Sequence, residues 1–502
     1  RTALAALCPM STTTCDNFLN GEIVPSSTGK YMDVHAPATG EVVGRVGLSD
    51  ASDVDTAVGH ATAAYADWKG RTVKNRAQIM FKFHQLVQEH ADELADLIVL
   101  EHGKNKAEAL AEVAKGNETV EWACSMPQLV PGRILQVSRG VTCHEEREPV
   151  GVVACVVPFN FPFMVPMWTV PIALVAGNCV IVKPSEKVPL TMGLAARLMH
   201  EAGVPAGVFQ LINGAVDAVT ALCDHPGVTA LSFVGSSRVA DLVAKRCRGH
   251  GKRALALGGA KNHLLALPDR DLDMAASDIV GSFTGCTGQR CMAASVLLPI
   301  GDQPDLIKAV VDKAAALEPG QDRGQIGPVI DAASRDRIVR YIDEAEARGA
   351  RVLLDGRSWS KRSPGFWVGP TVLLFEDPHD PCMKDEIFGP VISVYVCKNG
   401  EEALAIENGC PYGNAACIYT QSGASAEFYV HRFRAGMCGV NIGVPVPREP
   451  FSFGGLYPSD SKYGDMDITG DGAMEFFTSR RKITTKWAVY RGDAVPDIAQ
   501  FR

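Results

Sequence analysis

The residues that could do chemistry centre on Gly288-Gln289-Arg290-Cys291-Met292. A cysteine with small residues on one side and a guanidinium beside it is expected to be accessible and in a positive field. Both favour the thiolate, the nucleophilic form. A buried structural cysteine is the competing reading, because the chain carries 15 cysteines and free cysteine is often a core residue. Three other groups each follow an apolar, strand-like run. In Pro158-Phe159-Asn160-Phe161-Pro162, the Asn160 amide could donate to a developing oxyanion, or simply stabilise a turn. Lys183-Pro184-Ser185-Glu186 puts a cation and a carboxylate on one loop, which suits the hydroxyls of a ribose or a plain surface ion pair. Phe233-Val234-Gly235-Ser236 ends a strand and opens a helix, where amide N–H groups and the Ser236 hydroxyl could meet a pyrophosphate; an ordinary N-cap serine has the same pattern. A fourth group, Glu386-Ile387-Phe388-Gly389-Pro390, offers a carboxylate on a turn and is uninformative alone.

The elements around these groups read as α/β. Between Gly151 and Leu257, short apolar runs (Val152 to Val157, Cys179 to Val182, Val208 to Ile212, Val228 to Phe233, Arg253 to Leu257) alternate with helical segments such as Leu190 to Ala202 and Ser236 to Cys247. That order predicts a parallel sheet with helices on both faces. No Gly-x-Gly-x-x-Gly follows any of the strands, so a dinucleotide would have to be held in another way. Glu186 would repel a 2′-phosphate, which favours NAD over NADP. Helical periodicity runs from Asp53 to about Met126. A second α/β stretch extends from His263 to about Val446, with helices near Leu272 to Phe283, Asp305 to Leu317, Ala332 to Arg348 and Ala424 to Arg434. Pro131 to Glu148 reads as a protruding hairpin, and Glu475 to Tyr490 as one or two strands that could pair with another subunit.

Composition narrows the function classes. The 502 residues suffice for two or three domains, with 46% hydrophobic and 21% charged residues. Net charge of −8 without a basic block excludes an electrostatic nucleic-acid or membrane-surface binder. The cysteines are scattered, odd in number and without Cys-x-x-Cys, so neither a disulfide framework nor a metal site is expected, and a reducing compartment fits. Phe161 to Val182 carries no charge, but Pro162, Pro166 and Pro171 interrupt it; it is expected to be a buried helix followed by a central strand. Arg1 to Cys15, with one Arg, several Ser/Thr and no acid, is compatible with the remnant of a mitochondrial targeting segment.

Taken together, these pieces resemble the aldehyde dehydrogenase superfamily from about Phe18 to Lys486. Pro158-Phe159-Asn160-Phe161-Pro162, Gly259-Ala260-Lys261-Asn262-His263, Gly288 to Ala293 and Val444-Pro445-Val446-Pro447 are similar to its acylating, coenzyme A-dependent methylmalonate-semialdehyde dehydrogenase branch. The resemblance implies an aldehyde dehydrogenase-like fold: two parallel-sheet α/β domains plus a small β oligomerisation extension. The NAD-binding domain would take residues 16–130 and 151–257, the catalytic domain 258–446, and the oligomerisation strands 131–150 and 475–497 of a homodimer or homotetramer; the N-terminal segment makes the mitochondrial matrix the expected compartment, with the cytoplasm as the alternative. The resemblance makes Cys291 the nucleophile and gives the oxyanion to Asn160 and the Cys291 N–H. For NAD it implies Val157 and Phe159 at the nicotinamide, Lys183, Glu186 and Lys187 at the adenosine ribose, Ser236 at the pyrophosphate and Glu386 at the nicotinamide ribose. Arg290, with Lys115 where the family usually has Arg, would take a substrate carboxylate.

Thiolate attack on an aldehyde gives a thiohemiacetal, and loss of hydride to a nicotinamide leaves a thioester on Cys291. Hydrolytic relatives activate water with a glutamate whose matching position here is Leu257, and no acid lies between Asp241 and Asp269. Water attack without a general base forfeits about 10²–10⁴-fold. The expected acceptor is therefore coenzyme A, and the expected reaction converts methylmalonate or malonate semialdehyde to propanoyl-CoA or acetyl-CoA with loss of CO2, as in valine and pyrimidine catabolism. The alternatives are a hydrolytic NAD-dependent semialdehyde dehydrogenase and a non-catalytic binding protein of the same fold.

Overall fold

The computed structural model describes residues 13–129, 132–362 and 364–487. Five parallel strands form the middle of an eight-stranded sheet, in the order Arg253–Leu257, Val228–Val234, Val152–Val156, Cys179–Lys183, Phe209–Leu211. Val152–Val156 and Cys179–Lys183 are buried at every position, which is why they read as unbroken apolar runs. From Val152–Val156 the chain first builds the sheet on one side and later returns to add Val228–Val234 on the other. A crevice opens at such a reversal of strand order, beyond the carboxyl ends of the two strands.

Helices Ala51–Gly70, Val73–Glu89, Ala91–His102 and Lys106–Leu129 pack on this sheet through an apolar face that includes Val54, Ala57, Met80, Phe83, Leu94 and Ile98. The first starts at an Asp50–Asp53 capping box, and the third stops at Gly103 in the left-handed region. The uncharged Phe161 to Val182 stretch folds as two short helices, Met164–Met167 and Val170–Ala176, before its strand. Pro171 starts the second of them, so one continuous helix never forms. Among the described residues no helix is long and apolar enough to cross a membrane.

The second sheet has seven strands, ordered Arg351–Leu354, Thr371–Leu374, Val391–Val394, Ala294–Pro299, Asn262–Ala266, Ala415–Tyr419, Met437–Val440. All neighbours are parallel except the first pair. A third sheet joins Arg133–Ser138, Val141–Pro149 and Thr478–Lys486. Residues 488–497 of the expected oligomerisation strands, and Arg1 to Thr12 of the segment with targeting character, lie outside the described residues.

Two features depart from the sequence reading. Residues 447–477 return to the first sheet: Lys462–Tyr463 pairs antiparallel with Arg253–Leu257, and Phe453, Ile468, Phe476 and Phe477 enter the core of that sheet. The N-terminal strands Asn17–Leu19 and Glu22–Val24 extend the same sheet at its far edge.

Candidate active site

Cys291 follows a turn in which Cys286, Thr287 and Gly288 all have positive φ, at 54°, 56° and 69°. For the two non-glycine residues that conformation costs about 1–3 kcal/mol each, so the surroundings must hold it. The Cys286 N–H donates to Glu108 Oε1 at 2.8 Å, and Thr287 Oγ1 donates to the Gly327 carbonyl at 2.9 Å. The Ile330 N–H donates to Gln289 Oε1 at 3.0 Å. The Cys291 carbonyl accepts from Asn262 Nδ2 at 2.9 Å and from Asn414 Nδ2 at 2.8 Å. A side chain at Gly288 would sit 2.0 Å from the Gly389 carbonyl oxygen, so the nucleophile loop and the 386–390 turn meet backbone against backbone.

The thiol itself is not the low-pKa group that its neighbours in sequence suggest. Burial first, and the Glu386 carboxylate second, push Cys291 up to about 12, and Arg290 offsets only part of this. Arg290 is also not free. Its guanidinium pairs with Glu108 at 3.3 Å and lies against Gly285. The expected second cation, Lys115, pairs with Glu118 at 2.7 Å and lies 3.9 Å from Glu449. A substrate carboxylate would therefore have to compete with three acids already in place.

Asn160 is buried at the end of the loop after Val152–Val156, and its Nδ2 donates to the Gln289 carbonyl at 3.0 Å, beside the nucleophile. The loop is clamped from beneath by Lys104 and Glu112, a fully buried ion pair. Lys104 Nζ donates to the Asn160 carbonyl at 2.7 Å and lies 3.8 Å from the Phe161 ring centre. Glu112 Oε1 accepts from the N–H groups of Phe163 at 2.9 Å and Met164 at 3.2 Å. Removing one member of such a pair strands the other charge in the interior, typically at 3–5 kcal/mol. Glu112→Gln is thus expected to destabilise the protein by about 3 kcal/mol, measurable as a shift of the urea midpoint at unchanged slope.

The crevice at the strand reversal is a cleft of about 360 Å³ reaching from Ser236 to Cys291 and Glu386. Its residues fit a dinucleotide. Ser236 is the N-cap of helix Ser237–Gly249 but makes no side-chain cap bond, leaving its hydroxyl available to a phosphate at the positive helix end. A Cβ at Gly235 would lie 2.5 Å from the Phe233 ring and one at Gly259 2.3 Å from Glu386, so both glycines keep the walls close. Phe159 lines the cleft between the ring of His102, at 6.0 Å, and that of Phe388, at 5.9 Å; Val157 is buried just behind it. Glu386 Oε1 accepts from the Ala260 N–H at 2.9 Å.

Lys183 Nζ donates to the Gly214 carbonyl at 2.9 Å and pairs with Glu186 at 3.3 Å, a cation and a carboxylate on one loop. Lys187 is turned elsewhere. Its amine pairs with Asp331 at 2.5 Å and lies 5.5 Å from the Phe159 ring centre. The sequence reading missed Lys104, Glu112 and Asn414 altogether, and saw Asn262 only as part of a motif.

Known proteins resemble the chain over almost its whole described length. The family model described as aldehyde dehydrogenase family matches residues 23–483. The chain is 41% identical over 480 residues to malonate-semialdehyde dehydrogenase 2 of Geobacillus kaustophilus (strain HTA426), covering 94% of this chain and 99% of that protein. It is 41% identical over 481 residues to the malonate-semialdehyde dehydrogenase of Lacticaseibacillus casei, covering 94% and 97%. Among solved structures it superposes with TM-score 0.93 on methylmalonate-semialdehyde dehydrogenase from Oceanimonas doudoroffii, at 38% identity over 95% of this chain and 99% of that one. A structure from Sinorhizobium meliloti 1021, described as a putative methylmalonate-semialdehyde dehydrogenase complexed with NAD, gives TM-score 0.93 at 37% identity with the same coverage.

Proposed function

Since the chain belongs to the aldehyde dehydrogenase family and is a semialdehyde dehydrogenase, we propose that it oxidises malonate or methylmalonate semialdehyde with NAD and passes the acyl group to coenzyme A. Bound NAD supplies the hydride acceptor. The Cys291 thiolate adds to the aldehyde carbon, while Asn160 Nδ2 and the Cys291 N–H receive the oxyanion. Loss of hydride leaves a thioester on Cys291. A carboxylate one carbon away can then depart as CO2, the same donors holding the enolate oxygen until its carbon takes a proton from solvent, and thiol transfer then gives propanoyl-CoA or acetyl-CoA.

The observation that carries this reading is what stands where a hydrolytic base would. Leu257 is buried at the end of strand Arg253–Leu257. The carboxylate lining the cleft is Glu386, the partner expected for the nicotinamide ribose, so it is not free to activate water while the cofactor is in place. For oligomer formation, strand Arg133–Ser138 presents Ile134, Leu135 and Val137 to solvent at 75%, 64% and 56% exposure, an apolar edge suited to a second copy of this chain.

The test is a steady-state assay with 3-oxopropanoate and NAD, with and without coenzyme A, following NADH and acetyl-CoA. Omitting the thiol is expected to slow turnover by about 10²-fold or more. Release of free acid at the full rate without any thiol would instead favour the hydrolytic reading.

A further inference from the structure

Arg76 is a guanidinium buried without a carboxylate. It is 4% exposed and sits on the first turn of helix Val73–Glu89. Its Nε donates to the Val175 carbonyl at 2.8 Å, and its Nη1 to the carbonyls of Trp68, Lys69 and Arg71. These acceptors end helices Val170–Ala176 and Ala51–Gly70. The remaining terminal nitrogen, Nη2, makes no hydrogen bond among the described residues. Burial pulls the group down to about 10 with no nearby acid opposing it, so at neutral pH it is a cation lacking a counter-ion of its own.

Nη2 is on the side of open space. A Cβ at Gly177 would lie 3.3 Å from that nitrogen and 3.3 Å from Pro149 Cγ. Pro149, Ala176 and Arg76 all line a cavity of about 350 Å³ between the start of helix Val73–Glu89 and the third sheet, a volume in the range of small-molecule sites. It shares no lining residue with the cofactor cleft.

The charges of its wall do not balance. Lys69, Arg71, Arg76 and Arg147 set four cations against two carboxylates, Glu146 and Glu148. Glu148 is already shared by Lys69 at 3.7 Å and Arg481 at 2.6 Å, and Glu146 lies 3.3 Å from His144. Asp67 accepts from Arg71 at 2.9 Å, and Glu475 accepts from Arg147. Helix Val73–Glu89 adds its positive end. Its first turn carries Lys74 and Arg76 but no acid, the opposite of what that end favours. The Val73 N–H is among the donors that a helix start leaves without an intrahelical partner. An anion in the cavity would answer both Nη2 and the helix start.

We propose that this cavity binds a phosphate dianion, as the free ion or as the end group of a phosphorylated metabolite, against Arg76 Nη2 and the start of helix Val73–Glu89. Lys69 and Arg71, whose side chains are 40% and 32% exposed, complete the positive wall. The bound anion ties this helix to Val141–Pro149 and Thr478–Lys486 of the third sheet, so binding stabilises the folded chain. Cys291 takes no part in the site, so the test does not depend on the reaction.

The test is equilibrium dialysis of radiolabelled inorganic phosphate against the full chain saturated with NAD, which fills the cofactor cleft. One phosphate per chain is expected, with a higher melting temperature in its presence. Lys69→Gln combined with Arg71→Gln should weaken binding about tenfold and leave the KM for NAD unchanged. Arg76→Gln should abolish it. Because Arg76 also holds four carbonyls, the double variant at the exposed positions decides the question if that protein does not fold. Adenosine 5′-monophosphate and adenosine are run beside phosphate. Tighter binding of the monophosphate than of phosphate makes a phosphorylated metabolite the source, and weaker binding makes it the free ion. Absence of both phosphate and monophosphate binding in the NAD-saturated wild type overturns the site. So does undiminished binding in a folded double variant, or adenosine binding as tightly as its monophosphate.

Discussion

Replacing Cys291 by alanine is expected to abolish aldehyde-dependent NADH formation, lowering kcat by at least ~10⁴-fold, the scale seen when a covalent nucleophile is removed. The loss should be confined to chemistry. Cys291 is a small, half-buried side chain, and its loop is fixed through backbone groups by Asn262, Asn414 and Glu108. The melting temperature and the affinity for NAD should therefore change little. Cys286 is the informative control, because it lies on the same turn and faces the same guanidinium, yet it is buried and does not line the cleft. Cys286→Ser should keep most of the turnover. Steady-state NADH production in the two variants decides the assignment: a Cys291→Ala protein that still turns over would mean that another thiol, or none, carries the acyl group.

The first sheet was legible because its central strands are buried on both faces and so appear as apolar runs separated by helices. Strand Asn262–Ala266 was not, because it opens with Asn262 and His263 two residues after the Gly258-Gly259 pair and looks like the continuation of a loop. The return of residues 447–477 to the first sheet has no periodic signal either. It depends on a two-residue pairing at Lys462–Tyr463 and on separate aromatics finding one core. The candidate site shows the same division. Residue types at strand ends marked Asn160 and Ser236, since ligands reach α/β sheets there, and the glycine and arginine flanking it marked Cys291. Their electrostatics could not be read along the chain. Arg290 adjoins Cys291 in sequence but is paired with Glu108, whereas the charge that raises the thiol pKa comes from Glu386 on another turn. A neighbour in sequence contributes to a site only if its side chain points there, and a buried ion pair such as Lys104 with Glu112 needs the fold before it exists.

Asn160→Ala is expected to lower kcat by about 10²–10³-fold, or roughly 2.7–4 kcal/mol of transition-state stabilisation, with little change in the KM for NAD. The split follows from position. The Asn160 amide is aimed at the nucleophile loop, donating to the Gln289 carbonyl at 3.0 Å, while another part of the cleft wall is built by Ser236 and Gly235. An amide that only stabilised a turn would give a different result: lost stability and weaker cofactor binding with a modest effect on kcat. Asn160→Asp sharpens the distinction. It keeps the shape and can still accept, but it replaces a donor by a charge of the same sign as the developing oxyanion. If Asn160 receives that oxyanion, the aspartate variant must be slower than the alanine variant in a single-turnover measurement of NADH, although it is the closer isostere. Equal rates for the two variants would remove Asn160 from the oxyanion site and leave the Cys291 N–H as the donor still to be supplemented. Because Lys104 holds the Asn160 carbonyl and Glu112 holds Lys104, Glu112→Gln should shift the same single-turnover rate in the same direction.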